Sequence, residues 1–244
     1  MSEALRMWVE IVFNILYLIV VWALVALMIA KRSEVAPGAW PVARLLIAAF
    51  ALLALGDTGH VGFRVWAYAL GGLEAQVGGI GLVGIGALST AYTVTLFYGL
   101  VLMAWRQRFG KPYGVVGWIL FGAAAARLFI MLLPQNDWNS VVPPQPWSLV
   151  RNLPLIVQGL GVAYLILRDA RAANDSVFRA IGVWILVSYA FYTPVILFVQ
   201  TTPIVGMLMI PKTLAYVAIA WLAYRSFFPH PEPAPLTAGS ALGR

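Results

Sequence analysis

The segment GDTGHVGFR sets Asp57, His60 and Arg64 three and then four residues apart. On a helix that spacing projects all three from one face. A carboxylate, an imidazole and a guanidinium on one stripe are suited to acid/base work: Asp57 would orient His60, and a neighbouring arginine would steady an oxyanion. No serine stands in a nucleophile motif, so water is the expected nucleophile of such a site. The chain has two histidines and no cysteine. A three-histidine zinc site, thiolate ligands and cysteine nucleophiles are therefore excluded, and any metal would need mainly oxygen ligands. No cofactor is assigned.

Three further cations, Arg127, Arg151 and Lys212, stand within apolar segments, as does Glu10. An ionisable group at bilayer depth costs at least ~2.5 kcal/mol on insertion scales, so it faces the protein interior or a wet cavity and finds a partner. Asp57 paired with Lys212 or an arginine would simply hold helices together. Yet Arg64, Arg127, Arg151 and Lys212 against Asp57 and Glu10 leave an excess of about +2 in a low-dielectric environment, which an entering anion would relieve. A carboxylate, a phosphate or a lipid headgroup fits, with arginine better than lysine at forking onto it. The expected ligand-binding set is Arg64, Arg127, Arg151 and Lys212, and the expected proton-active or catalytic pair is Asp57 and His60. Ser89, Thr90, Tyr92, Thr93 and Tyr98, with Ser188, Tyr189, Tyr192 and Thr193, are candidates to line the cavity or to pack helices.

The elements that position these residues follow from composition. Of 244 residues, 62% are hydrophobic and 10% charged, against about 25% charged in soluble domains. A span needs about 20 apolar residues, and seven such runs fill the chain: 8–30, 43–70, 79–105, 114–133, 150–168, 178–199 and 204–228. The expected fold is an all-α membrane protein, one seven-helix transmembrane domain over 1–228, with a disordered cytoplasmic tail over 229–244. The first run is too long for a signal-peptide core, and Lys31-Arg32 follows it, so it reads as a retained helix. The sequence pI of about 9.9 comes from short basic connections rather than one solvated basic face, which argues against a nucleic-acid partner.

Lysine and arginine accumulate in cytoplasmic loops. Eleven of the sixteen flank one set of connections: Lys31, Arg32, Arg44, Arg106, Arg108, Lys111, Arg168, Arg171, Arg179, Arg225 and Arg244. Only Arg6 flanks the other set. The N-terminus is therefore expected outside and the C-terminus in the cytoplasm. At about 1.5 Å per residue, Arg64, His60 and Asp57 fall about 9, 15 and 20 Å below the outer boundary, Lys212 about 12 Å and Arg127 about 9 Å, with Arg151 at the outer start of span five. The loop PQNDWNSVVPPQPW, with four prolines and two tryptophans, reads as a rigid cap at that face.

The motifs GDTGHVGFR, LLPQNDW, RNLP, FYTPVILF and VGMLMIPKTLAYV together resemble a family of bacterial seven-helix membrane proteins. The resemblance implies a multi-pass protein of the bacterial inner membrane and no particular activity. Gly56-Asp57 is also similar to the Gly-Asp pair of lysoplasmalogenase-type membrane hydrolases, although their second intramembrane aspartate has no counterpart here. The seven-helix plan is shared with alkaline ceramidases, whose three histidines this chain lacks. Retinal proteins carry a span-seven lysine, but Lys212 is too close to the outer turn, and 79–105 holds no acid to serve as counter-ion.

The leading expectation is thus an outward-facing intramembrane cavity for a small anionic or amphipathic, lipid-like ligand, with membrane lipids as surroundings. The alternatives are a membrane-embedded lipid hydrolase or transferase using Asp57 and His60, and a structural or receptor subunit in which the buried charges are ion pairs.

Overall fold

The computed structural model describes residues 3–228, with the side chains of residues 3–7 and of Glu10 excepted. The expectations placed on Glu10, Arg6 and the 229–244 tail lie outside the described residues. Seven helices run Glu3–Ala30 (α1), Trp40–Ala69 (α2), Leu82–Phe109 (α3), Gly114–Leu132 (α4), Trp147–Ala172 (α5), Ser176–Phe198 (α6) and Met209–Phe227 (α7). All seven are long and apolar enough to cross a membrane, and the chain is a multi-pass membrane protein built as an all-α bundle. Several helices overrun their hydropathic cores. Arg44 lies inside α2, and Arg106 and Arg108 complete the last turn of α3, because a polar helix end at the boundary keeps its backbone bonded while its side chains reach water.

Five helices, α2, α3, α5, α6 and α7, close into a ring in which each packs on the next and α7 returns to α2. The two others are outer helices: α1 covers the α2/α7 junction, and α4 covers the α3/α5 junction. The main core runs through this ring and includes Phe50, Phe97, Tyr98, Ile166, Ile185 and Tyr216. Phe97 packs edge-on against Phe50, Tyr98 and Tyr216 at 5.2–5.5 Å, the geometry that ring quadrupoles favour.

The two ends differ in chemistry. At one, the Trp105 indole donates to Asp169 (2.9 Å), which also accepts from Arg168, and Arg108 pairs with Asp175 at 2.7 Å. Asp175 further caps α6 by accepting from the Phe178 amide. At the other end, a two-residue antiparallel hairpin, Gln76–Val77 (β1) with Ile80–Gly81 (β2), was not foreseen from the sequence. It meets the 134–146 loop, where the Gly81 amide donates to the Asn139 side chain. That loop folds back on α4: the Asn136 amide donates to the carbonyls of Ile130 and Leu133, and the Trp138 indole to that of Met131. These bonds satisfy carbonyls that the end of α4 would otherwise leave open, so the loop caps its helix.

Candidate functional site

Asp57, His60 and Arg64 share one side of α2, toward the hairpin end. Two glycines let α3 approach them. A side chain at Gly56 would strike Thr93 and one at Gly59 would strike Ser89, while across the seam Gly86 of α3 lies against the backbone of His60. Gly62 faces open space and takes no part. The close approach brings Thr90 within reach of Asp57, whose carboxylate accepts from Thr90 Oγ1 at 2.6 Å and from Tyr17 Oη of α1 at 2.7 Å. Asp57 thus ties α1, α2 and α3 together through hydroxyls.

His60 is half-buried, with Asp57, Arg64 and Lys212 in electrostatic reach. Its Nδ1 is buried and meets no hydrogen-bond partner. Among the described residues no hydrogen bond joins it to Asp57. Arg64 is half-buried on the same face.

Lys212 stands in the first turn of α7, just after Pro211, a position where proline's missing N–H costs nothing. Its ammonium lies 5.0 Å from the Tyr192 ring centre and 5.2 Å from that of Tyr216, within cation–π range. Among the described residues no carboxylate approaches within 4 Å of it, although Asp57 is in electrostatic reach. The Tyr216 hydroxyl shares a 2.8 Å hydrogen bond with that of Tyr98, and Tyr189 donates to the Leu155 carbonyl. The lysine therefore sits at the edge of a bonded tyrosine cluster from α3, α6 and α7.

Arg127 is 2% exposed and reaches from α4 into the α3/α5 seam. Its Nε donates to the Arg151 carbonyl (3.0 Å), its Nη1 to the Ala91 carbonyl (2.9 Å) and Thr95 Oγ1 (2.6 Å), and its Nη2 to Asn152 Oδ1 (3.4 Å). All four acceptors are neutral. Arg151, 8% exposed, lays its guanidinium over the Trp138 ring at 4.3 Å, and its Nη1 is buried with no hydrogen-bond partner. Asn152 Oδ1 also accepts from Tyr192, which links this group to the Lys212 box.

The structure thus gathers Arg127, Arg151 and Lys212 around Tyr192 and Asn152, with Asp57 and His60 on the Lys212 side. Arg127 differs from the other two because four of its five N–H donors are engaged by neutral acceptors. Tyr17, Thr95, Trp138, Asn152 and Tyr216 belong to the site and were not singled out from the sequence. Tyr216 alone had a readable signal, standing one helical turn after Lys212. No protein-family model, curated protein or solved structure matches the chain.

Proposed function

We propose that the bundle binds a small anionic or amphipathic, lipid-like ligand at the hairpin end of the ring, with Lys212 and Arg151 meeting its negative charge. The observation that carries this reading is the set of three cations, Arg127, Arg151 and Lys212, with no carboxylate within 4 Å of any of them among the described residues. Asp57, the described acid in electrostatic reach of Lys212, is already held by Tyr17 and Thr90. Lys212 and Arg151 also stand within about a turn of the N-terminal ends of α7 and α5, where the helix macrodipole adds positive potential. Concentrated positive charge in a low-dielectric bundle favours an anion. The open Arg151 Nη1 and His60 Nδ1 are polar atoms that a ligand or its water would satisfy.

Arg127, bonded throughout to α3 and α5, acts in this reading as the brace that fixes the other two cations. The hairpin end faces outward, and the chain resides in a bacterial plasma membrane as one of the family its motifs resemble; the basic residues at the opposite end support that orientation. The test is native mass spectrometry of the protein in mild detergent, wild type beside Lys212→Met. A co-purifying anion present in the wild type and absent from the variant is the expected result. A wild type that carries nothing, with a variant that is only less stable, would reduce the cluster to a structural role.

A further inference from the structure

At the arginine-rich end, the turn from α3 to α4 reverses at Gly110, whose φ of 61° is left-handed. It frames a surface groove of about 370 Å³ lined by Arg106, Gln107, Gly110, Lys111 and Pro112. Two other cations of this end have aspartate partners, Arg108 with Asp175 and Arg168 with Asp169. Among the described residues, Arg106 and Lys111 have no carboxylate within 4 Å. The Arg106 guanidinium instead lies over the Tyr113 ring at 4.8 Å, and Tyr113 packs edge-on against Trp118 and Phe121. Immediately beyond, α4 turns Val115, Trp118 and Ile119 outward at 77%, 65% and 56% exposure.

We propose that this groove seats the headgroup of an anionic phospholipid, with its phosphodiester between Arg106 and Lys111 and its acyl chains along Val115, Trp118 and Ile119. The chemistry changes in the order a lipid needs. Charge-assisted donors come first, at the end of the helices. The amphipathic Tyr113 ring follows at headgroup level. A bare apolar helix face comes last. A soluble anion would use the cations alone and gain nothing from the strip below them. The site is separate from the cation cluster near Tyr192, being at the other end of α3, and does not depend on it.

The test uses the whole protein in mild detergent, with phosphatidylglycerol and phosphatidylcholine offered at equal concentration and retention read by native mass spectrometry. The wild type should retain phosphatidylglycerol in preference. Arg106→Gln combined with Lys111→Gln should weaken that retention about thirtyfold, from ~1 kcal/mol per basic residue near a charged lipid surface. Arg171→Gln with Arg179→Gln removes the same charge from exposed positions of the same end and should leave it unchanged. Trp118→Ala, which alters no charge, should weaken it by a smaller factor. Equal retention of the two lipids, or equal loss in both double variants, would overturn the proposal. So would displacement of the lipid by glycerol 3-phosphate at matching concentration, since that would identify a soluble-anion site.

Discussion

Arg127 and Lys212 are the two residues whose contrast decides what the buried charge is for. Arg127 converges on four neutral oxygens, those of Arg151 and Asn152 on α5 and of Ala91 and Thr95 on α3, so its charge is spread over dipoles and its role is mechanical. At ~0.6 kcal/mol for an average side-chain hydrogen bond within a membrane protein, the four together contribute about 2 kcal/mol. Arg127→Gln should therefore lower unfolding stability by about that amount in a thermal or denaturant melt in detergent, with or without added ligand. The Lys212 ammonium instead faces the rings of Tyr192 and Tyr216. Its replacement by methionine keeps the stem that packs there and removes the charge alone, so Lys212→Met should change ligand retention far more than stability. If Lys212→Met destabilised the protein as much as Arg127→Gln did, the lysine too would be a structural group. The stripe Asp57, His60, Arg64 was legible because one helical spacing generates it. The partners of Asp57 were not, since which hydroxyl meets a carboxylate depends on how α1 and α3 are rotated against α2.

The two outer helices are pinned by polar side chains: α1 by Tyr17 onto Asp57 and by the Trp22 indole onto Thr58, and α4 by Arg127 into the α3/α5 seam. Between α2 and α3 the device is backbone proximity instead, with Gly56, Gly59 and Gly86 leaving the room. Close packing of small residues is what associates helices where lipid offers no hydrophobic drive. Gly84 does the same for the cap, because a side chain there would run into the backbone carbonyl of Trp138, whose ring lies against the Arg151 guanidinium. Gly84→Ala should thus destabilise by on the order of 1–3 kcal/mol, the cost of overpacking. Gly62→Ala, facing open space, should be neutral or raise stability by up to about 1 kcal/mol through helix propensity. Melting both variants in one detergent checks the pair, and equal effects would mean that the close contact at Gly84 does not bear on stability. The seven helices were legible from apolar runs punctuated by glycine, proline and charge. The hairpin was not, because two-residue strands leave no periodicity to read.

At the scale of the whole molecule, the asymmetry of charge bears on which compartment the proposed anion would come from. Ten of the eleven cytoplasm-assigned basic residues, Lys31 to Arg225, lie within the described residues, whereas the hairpin and the 134–146 loop contain neither lysine nor arginine. Short connections biased in this way fix orientation during insertion. The absence of cysteine makes the consequence directly measurable. Gln135→Cys places a thiol at an exposed position of the cap, and Arg171→Cys places one at an exposed position of the opposite end. In intact cells a membrane-impermeant maleimide should label the first, and it should reach the second only after permeabilisation. Labelling in that order would mean that the Lys212 and Arg151 cluster lies nearer the outer face and draws its ligand from the outer leaflet or the external medium. The reverse order would turn the cluster toward the cytoplasm. The anion would then be drawn from inside the cell, and Arg106 and Lys111 would meet the lipids of the outer leaflet.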